Sequence, residues 1–251
     1  MLDSVNDFKG CKVGNRDEEL GRCKDLWLDV QLWIVPYLVI EMKNLLGRRQ
    51  VAVPFVFSGR PEPETRRIPV SLDRAKIEEA PYFDLEKGVI EEDEIALLKY
   101  YGLDPYWTET EQGPEPKKIP LISPRYPGGE VIGFSVQGLD REIGRVADFL
   151  MERGTGHIRY VIVDAGNWFR GRQVCLAMND CLRGIDTEAK RLTLDISSQH
   201  IEKAPEYNPV ARISREYQLV LHDYYGWPKY WEEDGLKNTF TRQESPLNAE
   251  S

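Results

Sequence analysis

The sequence is short of histidine, with three in 251 residues, and of cysteine, with four and no Cys-x-x-Cys pair. Structural zinc sites draw on closely spaced Cys and His, and neither His-x-x-x-His nor Glu-x-x-His spacing occurs, so no metal centre is expected. His157, His200 and His222 read as solvent-facing or capping residues, and Cys11, Cys23, Cys175 and Cys181 as free thiols of a reducing compartment. Long apolar runs are missing too. The longest, Leu32 to Ile40, is nine residues and contains Pro36, against about 20 for a membrane-spanning helix. Asp3 and Asp7 stand where a secretion signal needs basic residues, which points to a cytoplasmic protein. Positive charge is also in deficit: formal net charge is −9, divided as −5 over 1–125 and −4 over 126–251. Neither half offers a nucleic-acid backbone a basic surface, so nucleic acid is disfavoured as a partner.

Catalytic signatures are absent in their complete forms. Gly133-Phe-Ser135-Val-Gln137 opens like a nucleophile elbow but carries Gln137 where the closing glycine belongs. Gly154-x-Gly156 lacks the third glycine of a dinucleotide fingerprint and reads as a hairpin turn. No enzyme activity and no cofactor are expected.

What is present is repetition. Leu20-Gly21-Arg22-x-x-Asp25 returns as Ile143-Gly144-Arg145-x-x-Asp148, Tyr37-Leu-Val-Ile-Glu41 as Tyr160-Val-Ile-Val-Asp164, and Arg49-Gln50-Val51 as Arg172-Gln173-Val174, all 123 residues on. One inserted residue makes the offset 124, at which Ile77-Glu-x-Ala80-Pro81 matches Ile201-Glu-x-Ala204-Pro205 and Tyr100-Tyr101-Gly102-x-x-x-Tyr106-Trp107 matches Tyr224-Tyr225-Gly226-x-x-x-Tyr230-Trp231. So many blocks in one register mark a tandem duplication. Asp25/Asp148 and Glu41/Asp164 are acidic in both copies, with turn capping or pairing with Arg22/Arg145 and Arg49/Arg172 as their expected roles. Between the copies Thr108 to Gly133 is dense in proline and glycine and reads as a semi-stiff linker. The expected organisation is a divergent first repeat over 1–107, a linker over 108–130, a second repeat over 131–231 and a mobile polar tail over 232–251.

Within the second copy, Ile158, Tyr160 and Ile162, and Val174, Leu176 and Met178, alternate with their neighbours as half-buried strands do, and Leu192-Thr-Leu194-Asp-Ile196 adds a third run. Short strands joined by tight turns make a mainly β fold of two small barrels in tandem, each followed by short helices. Gln31 and Trp33 replace Gly154 and Gly156 in the first copy, so its barrel is expected to be less regular. Ser197 and Asp73 sit as N-caps of short helices that stop at Pro205 and Pro81. A longer helix follows in each copy. Its apolar face is read as Ile213, Tyr217, Val220, Leu221 and Tyr224 in one and Ile90, Ile95, Leu97, Leu98 and Tyr101 in the other, with Gly226 and Gly102 as left-handed caps.

Gly-Arg-x-x-Asp, Ile-Arg-Tyr-Val-Ile-Val-Asp (158–164), Trp168-Phe-Arg-Gly-Arg-Gln-Val174 and Ile-Glu-Lys-Ala-Pro (201–205) together resemble the PRC-barrel domain. The resemblance spans some 90 residues per copy, strongly in the second and weakly in the first. That domain is shared by the soluble part of the photosynthetic reaction-centre H subunit and the C-terminal part of a ribosome-maturation factor. It implies a non-catalytic barrel that docks on a larger protein assembly, leaves peripheral membrane association or ribosome association open, and supplies no catalytic residues. The two copies are expected to pack as an internal pseudo-dimer. Tyr100, Tyr101, Tyr106 and Trp107, with Tyr224, Tyr225, Trp227, Tyr230 and Trp231, are the candidate partner-binding residues, because Tyr and Trp dominate interface hot spots. Packing against their own barrel is the alternative use.

Overall fold

In the computed structural model the described residues are 1–44, 47–81, 91–107, 125–166, 172–209, 211 and 213–233. The expected linker over 108–124, the tail from 234, Ile90 and the segment Trp168–Gly171 lie outside them. The first half comprises β1 (Leu2–Ser4), β2 (Lys12–Gly14), β3 (Glu19–Asp29), β4 (Ile34–Asn44), β5 (Gly47–Pro54), β6 (Arg67–Pro69), α1 (Arg74–Glu78) and α2 (Glu91–Tyr100). The second runs β7 (Arg125–Pro127), α3 (Gly128–Val131), β8 (Ser135–Gln137), β9 (Glu142–Glu152), β10 (Ile158–Asp164), β11 (Gln173–Ala177), α4 (Met178–Cys181), β12 (Leu182–Asp186), β13 (Arg191–Leu194), α5 (Ser198–Glu202), α6 (Arg215–Tyr225) and α7 (Tyr230–Glu233).

The fold is mainly β, in two sheets of matching order. One reads β5-β4-β3-β2-β6 and the other β11-β10-β9-β8-β13-β12. In each, a long central hairpin carries antiparallel neighbours, and a three-residue strand joins the last strand in parallel: β2 with β6, and β8 with β13. Neither ladder closes into a ring among the described residues.

The two sheets trade strands. β1, at the start of the first half, pairs with β9, with Leu2 opposite Glu152 and Ser4 opposite Leu150. β7, at the start of the second half, pairs with β3, with Arg125 opposite Asp29 and Pro127 opposite Trp27. These registers correspond residue for residue at the repeat offset of 123, so each half lends its first strand to the other's sheet. Between the sheets Val35 N–H donates to Gly156 O at 2.9 Å and Ile158 N–H to Trp33 O at 2.7 Å, a bridge centred on the equivalent residues Ile34 and His157. The consequence is one shared interior: a single apolar cluster runs from Val5 and Phe8 through Leu38 and Val53 to Phe149, Leu176 and Leu194. Residues 125–130, assigned from composition to the linker, therefore belong to β7 and α3. Their prolines and glycines serve an exchanged strand and a tight turn rather than a spacer.

Helix signals behave as the capping rules require. Ser197 accepts from His200 N–H, Ser214 accepts from Tyr217 N–H, and Gly226 and Gly102 hold φ of 70° and 72° at the ends of α6 and α2. Asp73 occupies the cap position of α1 without a side-chain bond. The buried face of α6 differs from the expected one. Gln218, Leu221 and His222 point inward, whereas Val220 is 56% exposed. In α2, Glu94, Leu97 and Leu98 are buried and Ile95 is exposed. Hydropathy misplaced the stripe because inward positions are polar, Glu94 in α2 and both Gln218 and His222 in α6.

Candidate functional site

Each aromatic ending packs across the outer face of its own half's sheet. In the first half Trp27, Tyr37, Val39 and Ala52 present that face, and Leu97, Leu98 and Tyr101 cover it, with Tyr100, Tyr106 and Trp107 packed alongside. In the second, Leu150, Tyr160, Ile162, Cys175 and Ala177 meet Leu221, Tyr225, Trp227 and Tyr230. Of the nine candidate residues, Tyr101 is buried, Tyr224 is 37% exposed, and Tyr100, Tyr106, Trp107, Tyr225, Trp227, Tyr230 and Trp231 are half-buried.

A polar pin runs through each packing layer. Glu94 accepts from the hydroxyls of Tyr37 at 2.9 Å and Tyr106 at 3.1 Å. Its counterpart Gln218 accepts from Tyr160 at 3.4 Å and Tyr230 at 2.8 Å. Buried polar atoms of this kind are tolerated because each finds a partner. His222, read from the sequence as solvent-facing or capping, is instead buried in the second layer, its ring nitrogens 2.8 Å from Tyr160 Oη and 2.6 Å from Pro228 O. Leu98 takes its place in the first half, so the pin there is Glu94 alone. Arg159 lies 4.3 Å from the Tyr230 ring and Arg215 4.2 Å from that of Trp231, seating α7 by cation–π contact. Tyr224 Oη donates to His200 O and Tyr100 Oη to Lys76 O, the same bond in both halves.

The repeated acids and arginines do different work from simple pairing. Asp25 accepts from Leu26 N–H and from Gly129 N–H at the foot of the exchanged β7 arm. Asp148 accepts from Phe149 N–H, from Asn6 N–H and from the Ser4 hydroxyl of the exchanged β1 arm. Each carboxylate thus caps the segment that arrives from the other half. Burial pushes Asp148 up to about 6, against the pull of those hydrogen bonds. Arg22 and Arg145 do not pair with these acids but donate to the equivalent carbonyls of Gly10 and Gly133. Arg49 donates to Glu78 O, and Arg172 to Ile201 O and Glu202 O, closing the C-terminal ends of α1 and α5. Glu41 pairs with Arg48, and Asp164 accepts from Gly166 N–H in a turn.

Asp3, named from the sequence only as an acid that speaks against a secretion signal, is buried on the β1 arm and held by Arg153 through two bonds of 2.9 and 2.8 Å, with Arg60 at 3.6 Å. An acid three residues into an unpatterned segment gives no periodic signal. All four cysteines are buried, and burial pushes their thiols up, away from the reactive thiolate. Among the described residues no group of three or more His, Cys, Asp or Glu is placed to hold a metal, and no helix is long and apolar enough to cross a membrane.

A parallel β8–β13 pair, a long β9–β10 hairpin and the start of α5 are the setting of most of the motifs quoted above, and the family comparison falls on them, ending before the Ala204-Pro205 stop. Residues 125–201 match the PRC-barrel domain. The match begins at the first residue of β7, so the arm that crosses into the other sheet is part of the PRC-barrel domain and not an appendage to it. No curated protein matches the chain. Among solved structures, a putative 16S ribosomal RNA processing protein RimM from Pseudomonas aeruginosa is similar at 15% identity, covering 79% of this chain and 99% of its own, with a TM-score of 0.26.

Proposed function

We propose that the chain is a non-catalytic docking protein in which two PRC-barrel units, fused as an internal pseudo-dimer, bind a larger protein assembly. The observation that carries this reading is the filled interior. Leu38, Val53, Phe149, Leu176 and Leu194 belong to one continuous core, so the sheets enclose side chains where an enzyme or small-ligand binder keeps a cavity. The buried thiols and the pinned tyrosines fit the same reading, since both are spent on packing. Binding is then a property of the outside surface.

A ribosomal particle is the assembly to test first. The PRC-barrel resemblance includes a ribosome-maturation factor, and the Pseudomonas protein named above is described as processing 16S ribosomal RNA. With net charge −9, the contact assigned to this chain is with a protein component rather than with RNA phosphates. Sedimentation of native protein from lysate on a density gradient tests both levels of the proposal. Migration with ribosomal subunits, abolished when the subunits are dissociated, supports ribosome docking. Migration with membranes supports a reaction-centre-like use. Migration only as a free small protein overturns docking.

A further inference from the structure

The docking proposal leaves the surface unnamed, and the difference between the two sheets' last strands supplies one; the inference rests on that proposal. Among the described residues β12 ends its sheet and pairs only with β13, from Leu182 opposite Leu194 to Asp186 opposite Arg191. Among the described residues no backbone group of Arg183 to Asp186 bonds outside that ladder. Unpaired edges invite strand addition, and proteins blunt them with proline, charge or cover.

The first half blunts its equivalent edge. Ser58 to Glu62 makes only isolated bridges, Ser58 to Val70 and Glu62 to Arg67, and carries Pro61 with Pro63 just beyond, which remove backbone donors. Arg60 reaches across it to Asp3 at 3.6 Å. At the offset of 124, Pro61 becomes Ile185, Pro63 becomes Thr187 and Arg60 becomes Gly184, so every donor and an open space are restored. Gly184 is not in the left-handed region, and a Cβ built there would meet nothing within 4 Å. The ladder shifts register between Leu182 and Gly184, an irregularity that glycine eases, and among the described residues nothing fills the space over Gly184, which leaves room for close approach of another backbone. Leu182 and Ile185, half-buried against the core, leave an apolar margin beside it.

We propose that the free edge of β12 accepts an extended segment of a partner protein as an added strand. Main-chain bonds to Arg183–Asp186 hold it, and an apolar or aromatic partner side chain lies over Gly184 and its neighbour Thr193. Hydrogen exchange of the full-length protein, free and in the assembly-bound gradient fraction, tests this. The outward-facing amides among Arg183 to Asp186 are expected to slow by about 100-fold or more on binding, as new main-chain bonds require, while those bonded to β13 are not. Bound protein with unchanged exchange there overturns the edge assignment and leaves docking intact; protein that sediments only as free monomer overturns docking itself. Protection that appears in the pure protein with a doubling of mass assigns the edge to a second copy, and so also overturns the partner. As a second reading, Gly184→Pro and Ile185→Pro are expected to differ, the one that keeps its melting temperature lowering the bound fraction about tenfold, because adjacent amides of the strand point to opposite edges and only one of the two faces outward. Should both unfold, Gly184→Glu puts a charge over the same surface without touching the ladder, and unchanged binding by that variant overturns the proposal.

Discussion

Where the two sheets cross, the second half turns on glycine and the first on tryptophan. Gly156 holds φ of 74°, and a Cβ there would lie 2.7 Å from Val35 O, so both conformation and space require glycine. Trp33, its counterpart, holds φ of 52°, a conformation that costs a bulky residue about 1–2 kcal/mol. It is retained because its ring is buried, 5.7 Å from that of Phe149 in the other half. The same division recurs a few residues away. Gly128 leaves the space into which its counterpart Val5 projects: a Cβ on Gly128 would stand 3.2 Å from Val5 Cγ1 and 2.7 Å from Leu28 Cδ1. A crossing built from two identical copies has room for one side chain where equivalence would place two, and in this chain the first half fills and the second makes way.

The largest effect that breaks this comparison is expected from Trp33→Ala, a loss of about 3–5 kcal/mol in chemical denaturation. Trp33→Gly sharpens it. Both variants lose the ring, but glycine relieves the left-handed backbone, so the Gly variant is expected to be the more stable by about 1 kcal/mol. Equal stability of the two would mean that Trp33 carries no strain.

Next come the two carboxylates that cap the exchanged arms. Asp148 is half-buried, with its carboxyl held up at about 6 by desolvation, whereas Asp25 has Lys9 Nζ at 3.8 Å. A carboxyl whose folded pKa exceeds its unfolded value binds its proton more tightly in the native state. The stability it contributes is therefore present below pH 4 and is lost as pH rises towards 6. A displacement from 3.8 to about 6 sets an upper figure of about 3 kcal/mol at neutral pH. Asp148→Asn keeps an acceptor for Asn6 and Phe149 and offers an amide to Ser4, so it is expected to stabilise the protein at pH 7 and to be near neutral at pH 4. Asp25→Asn is expected to lose under about 1 kcal/mol with the Lys9 contact. Parallel stability curves for Asp148→Asn and the parent between pH 4 and 7 would remove the asymmetry between the arms. Gly156→Ala follows at about 2 kcal/mol lost, by clash and positive φ together, against a smaller loss for Gly154→Ala, whose Cβ meets nothing.

These residues also show what the sequence makes legible. The strands β10 and β11, the serine caps and the glycine ends of α2 and α6 rest on local chemistry and lie where it puts them, but the two strands are not half-buried as their alternation predicts: one face meets the shared core and the other the aromatic layer, so both faces are buried. The strand exchange does not rest on local chemistry, because Leu2-Asp-Ser4 and Arg125-Tyr-Pro127 share no residue and are too short to carry a period. Asp25 and Asp148, acidic in both copies, are expected to cap turns or pair with Arg22 and Arg145; each caps its own next residue and also holds the arm from the other half, which nothing local announces. The inward faces of α2 and α6 were misread for a related reason. Glu94 and Gln218 are polar yet buried, because tyrosine hydroxyls from the sheet and from the chain after the helix converge on them, a fact of tertiary structure alone.

The smallest stability effect is expected at Tyr224, the one residue of the nine aromatics that is exposed. Tyr100 is half-buried under Lys76, whose Nζ sits 3.9 Å from its ring centre, while Tyr224 is 37% exposed, and Asp223 beside it is exposed as well. Both hydroxyls donate to the equivalent carbonyl, so truncation removes the same bond from each. What remains is buried area and one cation–π contact, so Tyr224→Ala is expected to cost less than about 1 kcal/mol and Tyr100→Ala up to about 1 kcal/mol more. That ordering makes Tyr224 the useful probe among the nine aromatics. A variant that keeps its melting temperature but loses its place in the gradient would make the end of α6 part of the docking surface. Retention of both would leave the aromatic endings to their packing role and leave β12 as the edge on which the second half meets its partner.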